Sequence, residues 1–241
     1  MNHNFSQLSS TVIMSIIVSM SRLSSKMDII TTDYSIPYGE IIRFMKQSCD
    51  YVKKNNSHLL LVLQHEACYT VSSQQLPGKK IDDIEIKNEI LPLYSTDRGG
   101  KITYHGPQQK IFYPIFFLPH LYENINLKDF IDKLEYAVVL TLRDLGITAF
   151  QKNDARGVWV KNSINEEAKI ASIGMRFSNK ISHHGIAINI SDCNYYLEKI
   201  NACGIIGGRT ACVADFLNEN STTLALRIEM LFIKHLNTFF F

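Results

Sequence analysis

The 241-residue chain has almost no net charge: 25 Lys and Arg stand against 23 Asp and Glu, leaving +2. Without a field of one sign, overall charge gives no support to nucleic-acid binding by phosphate neutralisation. Paired cysteines are also lacking. The five cysteines (Cys49, Cys68, Cys193, Cys203, Cys212) are odd in number, widely spaced and form no C-x-x-C. That pattern argues against a disulfide framework and a thiolate zinc site, and fits a reducing compartment. Of the eight histidines only His183 and His184 are adjacent. Neighbouring side chains on a strand point to opposite faces, so no metal is expected. Residues 1–27 hold no acidic residue, and their apolar run Val12 to Val18 is too short to span a bilayer. Arg22 and Lys26 follow that run, whereas a secretory signal puts its charges first. Residues 1–26 are therefore expected to be an extension, either disordered or targeting an organelle, ahead of a single catalytic domain over 27–241. No membrane association is expected.

What is present suits one sizeable core, since 46% of the residues are hydrophobic. Ile41, Ile42, Met45, Cys49 and Val52 recur at helical spacing, which makes Cys49 more a core residue than a reactive one. His58 to Leu63 is a continuous apolar run, the pattern of a strand buried on both faces, and Cys68 to Val71 continues as another. Polar residues 72–89, with Pro77-Gly78, predict an exposed loop. Ile111 to Leu118 reads as a strand whose Pro114 belongs at an edge or bulge. Leu127, Phe130, Ile131, Leu134, Ala137, Val138 and Leu145 lie on one helical face, with a cap at Asn124–Asn126 and a stop at Gly146. Gly157 to Lys161 is a strand, and Asn179-Lys180 is a two-residue turn joining strands Lys169–Ser178 and Ile181–Ile190. The His183, Gly185, Ala187 face of that hairpin is expected to leave room for a ligand. A short helix near Tyr195 to Ile200 and an amphipathic helix from Ser221 to about His235 complete an α+β domain, a mixed β-sheet with packed helices.

Three stretches carry candidate chemistry. Arg98 to Pro107 holds Gly99, Gly100 and Gly106, whose backbone N–H groups can approach a bound oxygen closely; a tight turn needs glycines equally, and spacing alone leaves both readings open. Lys169 opens the small, apolar run Ile170 to Gly174, where a lysine either snorkels to solvent or sits desolvated beside a reacting group. Cys203 precedes Gly204. A free cysteine is commonly a small hydrophobe, but a nearby ammonium would favour its nucleophilic thiolate.

The blocks Arg98-Gly99-Gly100-Lys101-Ile102-Thr103-Tyr104-His105-Gly106-Pro107, Gly157 to Val160 with Lys169 to Gly174, His184 to Asn189, and Asn201 to Ile205, in that order, resemble the lipoyl(octanoyl) transferases. The resemblance implies a single domain shared with biotin and lipoate protein ligases. It implies transfer of an octanoyl group from octanoyl-acyl carrier protein to a lysine of lipoyl domains, the first step of endogenous lipoate biosynthesis, without cofactor. By resemblance, Cys203 is the nucleophile, carrying the acyl-thioester, and Lys169 lowers its pKa and moves protons. Arg98, Gly99, Gly100, Lys101, Ile102, Thr103, Tyr104, His105, Ser172, Ile173, Gly174, Gly185, Ile186 and Ala187 match the segments that line the substrate site. The implied acceptors are lipoyl domains of 2-oxoacid dehydrogenases and the glycine cleavage H protein. A cytoplasmic monomer is expected, or an organelle-matrix one if residues 1–26 are a transit segment.

The sequence departs from the family at Gln108, where glycine is usual, and at Ala202, where proline is usual. These changes bear on rate more than on reaction. Two rival readings are an ATP-dependent lipoate or biotin ligase, which has no use for a nucleophilic Cys203, and a non-catalytic paralogue that only binds acyl-carrier or lipoyl domains.

Overall fold

The computed structural model describes residues 19–22, 27–76, 86, 90–121, 126–200 and 209–241. In chain order the elements are β1 (Ser19–Arg22), β2 (Met27–Ile36), α1 (Tyr38–Asn55), β3 (His58–His65), β4 (Cys68–Ser72), β5 (Leu93–Thr96), β6 (Thr103–His105) and β7 (Gln109–Phe116). They continue with α2 (Leu127–Asp144), β8 (Ala149–Gln151), β9 (Val158–Lys161), β10 (Glu167–Ser178), β11 (Ile181–Asn189), α3 (Asn194–Leu197), β12 (Arg209–Thr210) and α4 (Ser221–Phe240). A mixed sheet runs in the order β1-β2-β3-β7-β11-β10-β9-β8, with β12 beside β10, and a small sheet has the order β5-β4-β6. This is the α+β architecture expected.

The apolar run of β3 needs no polar alternation because helices cover both faces of the sheet. Leu60 and Val62 join Phe112 and Phe116 against Phe130 and Leu134 of α2 and Phe232 of α4. Leu59, Leu61 and Leu63 join Ile111 and Ile115 against Ile41 and Phe44 of α1. Each such side chain, once fully buried, stabilises the fold by about 1.5–3 kcal/mol. The Asn126 side chain caps α2 by accepting from Lys128 N at 3.0 Å, and Gly146 at φ +85° ends it. Asn179 and Lys180, at φ 50° and 65°, make the left-handed turn that sets Ser178 opposite Ile181.

Several expectations change. Pro114 lies in an interior strand, between β3 and β11, rather than at an edge. It is tolerated because the β7–β11 ladder stops at Phe112 and Ile186. Beyond that point the Ser182 hydroxyl accepts from Phe116 N at 3.1 Å and donates to Pro114 O at 2.7 Å. Within the segment read as an extension, Ser19–Arg22 pairs antiparallel with β2. Helix α4 runs to Phe240, past His235, because Leu236 and Phe240 still reach the core. Ser73–Gln75 forms one short helical turn, and most of the expected 72–89 loop lies outside the described residues. Among the described residues, no helix is long and apolar enough to cross a membrane.

Candidate active site

The strands β6, β7, β10 and β11 and the turns at 98–102 and 154–156 enclose a cavity of about 250 Å³. Of the residues expected at a substrate site, Arg98, Gly100, Lys101, Ile102, Thr103, His105, Lys169, Ser172, Ile173, Gly174, Gly185, Ile186 and Ala187 line it. Gly99 and Tyr104 are not in its wall. Strand alternation sends Thr103 and His105 to the cavity and Tyr104 to the other side, where it stacks on Tyr196 at 4.4 Å. Cys203, with Ala202, lies outside the described residues.

The Arg98 turn is held by its own side chain. The buried guanidinium donates to Thr70 Oγ1 at 2.8 and 3.1 Å, to Thr70 O at 2.8 Å and to Gly99 O at 3.0 Å. Gly99 N donates to Met175 O at 3.0 Å, so that N–H is not free for a bound oxygen. Gly106 serves packing: a Cβ there would lie 2.0 Å from the Tyr104 hydroxyl. Of the three glycines, Gly100, at φ +88°, is the one in the cavity wall. Gln108 is not strained, since it is absent from the non-glycine residues with positive φ. Its Oε1 accepts from Tyr104 OH at 2.9 Å and its carbonyl from Ile190 N at 2.8 Å.

Lys169 is 5% exposed and does not snorkel. Its ammonium donates to Arg156 O at 2.7 Å and sits 4.8 Å over the Trp159 ring, a cation–π contact. A register shift in the β9–β10 ladder between Lys169 and Ala171 is a bulge, a device that re-aims side chains. The lysine's platform is supported from behind by Glu135 of α2, a buried carboxylate. It accepts from Gly157 N at 2.6 Å and pairs with Arg156 Nη1 at 3.2 Å. Burial raises the Glu135 pKa, and the Gly157 N–H and Arg156 oppose that rise. Gly157, at φ +114°, must be glycine: a Cβ would come within 2.5 Å of Ala171 O and 3.2 Å of Lys169 Cε.

Behind the cavity, His65 Nε2 accepts from Tyr113 OH at 2.8 Å, and burial lowers the His65 pKa to about 4. His105, in the cavity wall, is likewise held neutral by burial. The β11 expectation holds in part: Gly185 and Ala187 line the cavity, while His183 and Asn189 of the same face do not. All nine residues from Ile181 to Asn189 are buried. Gly185, besides lining the cavity, admits the close approach of strand β7, as a Cβ would sit 2.0 Å from Phe112 O. His184 adopts φ +57°, which breaks the alternation and turns both His183 and His184 toward Asp97. The premise used to separate these histidines therefore does not hold.

Sequence reasoning missed Ile111, Tyr113, Asp154, Ala155, Arg156 and His184 as cavity residues. The 154–156 turn carries no periodicity and contributes a backbone carbonyl, which no side-chain pattern reveals. Strand alternation puts His184 on the face opposite His183 and Gly185, and its φ of +57° breaks that alternation and brings it to the cavity.

Residues 37–231 match the family described as lipoyl protein ligase A/B catalytic domain. The chain is 38% identical over 175 residues to an octanoyltransferase of Caldanaerobacter subterraneus subsp. tengcongensis, covering 70% of this chain and 72% of that one. It is 35% identical over 177 residues to one of Wolbachia sp. subsp. Brugia malayi, covering 73% and 82%. Among solved structures, a bi-partite lipoate protein ligase of Thermoplasma acidophilum superposes with a TM-score of 0.63 at 16% identity, over 90% of this chain and 85% of that one. Lipoate-protein ligase A bound with ATP gives 0.62 at 17%, over 88% and 85%. At such identities the solved structures attest the fold alone.

Proposed function

The chain belongs to the lipoyl protein ligase A/B catalytic domain family, and from that premise we propose that it is an octanoyltransferase acting in lipoate biosynthesis. The donor is octanoyl-acyl carrier protein, and the acceptors are lysines of lipoyl domains, those of 2-oxoacid dehydrogenases and the glycine cleavage H protein. It works as a monomer in the cytoplasm, a reducing compartment in keeping with the free thiols of Cys49, Cys68, Cys193 and Cys212. Its catalytic domain is 27–241.

The Cys203 thiolate attacks the thioester carbonyl carbon. The bond from that carbon to the carrier sulfur breaks, and the departing sulfur takes a proton from the Lys169 ammonium. The acceptor amine then attacks the Cys203 thioester, an amide forms, the Cys203 thiolate departs, and Lys169 recovers a proton from the amine. Thioester to amide runs downhill, so no ATP is consumed. Burying the octanoyl chain along Ile102, Ile111, Ile173 and Ile186 contributes about 5 kcal/mol, at about 0.8 per methylene.

The observation that carries this reading is the burial of Lys169 in an otherwise largely apolar cavity wall. Two features support pairing it with Cys203. Thr210 pairs with Lys169 in the β10–β12 ladder, and Ala211 N donates to Lys169 O at 3.0 Å. Cys203 stands seven residues before Thr210, within chain reach of the lysine.

The test is transfer from octanoyl-acyl carrier protein to a lipoyl domain, with and without ATP. The amide is expected without ATP, and Lys169→Met, which keeps the stem but removes the proton carrier, is expected to slow it about a hundredfold or more. A requirement for ATP, or an unimpaired Lys169→Met, contradicts the reading.

A further inference from the structure

Asp97 lies directly before the Arg98 turn, and His183 and His184 lie on β11. In a regular strand their imidazoles would face apart. Here His184, at φ +57°, holds a conformation that disfavours residues with a Cβ and is retained where surrounding structure fixes it. The result is three donor atoms on one point. His184 Nε2 is 2.9 Å from Asp97 Oδ1, His183 Nε2 is 3.6 Å from Asp97 Oδ2, and the three donor atoms lie within 4.8 Å of one another.

We infer that Asp97, His183 and His184 form a binding site for one divalent transition-metal ion of the zinc class. Two neutral imidazoles and a carboxylate make a borderline donor set suited to that class. A tetrahedral ion with bonds of about 2.0–2.2 Å sets its donors about 3.3–3.6 Å apart. The two histidine–carboxylate distances bracket that value and no donor pair exceeds 4.8 Å, so modest side-chain shifts complete the site. Three protein donors leave a fourth position for water. The Asp97 side chain is 59% exposed, which opens a path for the ion, while His184 is nearly fully enclosed and fixes its depth. Arg176 Nε, 3.8 Å from Asp97 Oδ2, occupies the carboxylate's outer side. That guanidinium is itself 43% exposed and can turn to solvent at little cost. Because His184 and Arg98 both line the cavity, the bound ion would staple the Arg98 turn to β11 and stiffen one cavity wall. The site does not depend on which acyl group, if any, the cavity accepts.

The test uses full-length protein stripped with a chelator and titrated with zinc by calorimetry, with cobalt absorption reporting the donor set. One ion per chain is expected, with affinity reduced at least tenfold in Asp97→Asn and in His183→Phe and retained when Cys193, Cys203 and Cys212 are changed to serine. Zinc should also raise the unfolding temperature of the wild type and not of His183→Phe, whose fold is checked by its unfolding in chelator. Absence of stoichiometric binding, binding that survives both ligand substitutions, or binding that disappears with the cysteines overturns the inference.

Discussion

At the scale of single residues, Lys169 is the proposed proton carrier, and what fixes its position is the 154–157 turn. Its carbonyl partner belongs to Arg156, and Glu135 holds Gly157 N and Arg156 Nη1 from the far side. Glu135 therefore acts as a positioning residue. Glu135→Ala leaves the Gly157 N–H without its acceptor and is predicted to cost about 1–3 kcal/mol of stability by urea unfolding. It is also predicted to slow octanoyl transfer by on the order of tenfold to a hundredfold, since displaced catalytic groups lose rate steeply. Glu135→Gln keeps an acceptor for that N–H and should recover most of both. Wild-type transfer by Glu135→Ala would contradict the positioning role. Lys169 and most of the cavity wall were legible as motif blocks. Glu135 was not, because an acid on the buried side of an amphipathic helix looks like a neighbour of the apolar stripe until its partner is seen. Cys203 rests on resemblance alone and lies outside the described residues.

At the scale of elements, long and strongly patterned segments were readable. The helix Leu127–Asp144 and the hairpin at Asn179-Lys180 announce themselves through an N-cap, a glycine stop and a left-handed turn. The three-residue β8, the two-residue β12 and the bulge at Lys169 were not readable, since pairing partners set them rather than local preference. Pro114 misled for the same reason: its acceptability depends on where β11 departs from the ladder. His65 joins three strands, donating from Nδ1 to Ile36 O at 3.3 Å and accepting from Tyr113 OH at Nε2. Its pKa, lowered to about 4 by burial, lies below the value of about 6.5 of an unfolded histidine. Between those values the unfolded chain binds a proton that the folded chain does not. The stability contribution is thus complete above about pH 6.5 and is lost as pH falls toward about 4, at up to about 1.4 kcal/mol per pH unit. Urea unfolding across this window should show that acid slope, and His65→Gln should flatten it by one proton. An identical slope in the variant would show that His65 titrates alike in both states.

At the scale of the whole molecule, one sheet carries helices on both faces, and the cavity opens where the β7–β11 ladder ends and the β9–β10 register shifts. The bulge at Lys169, the left-handed His184 and the close approach at Gly185 all fall around it. Packing thus holds irregular backbone in place at the point where an acyl chain would lie. Covalent transfer through Cys203 at this cavity is tested most directly by the intact mass of the protein after mixing with octanoyl-acyl carrier protein, without ATP or acceptor. One octanoyl group on the wild type and none on Cys203→Ala is predicted; an unmodified wild type, or an adduct that survives Cys203→Ala, would contradict it.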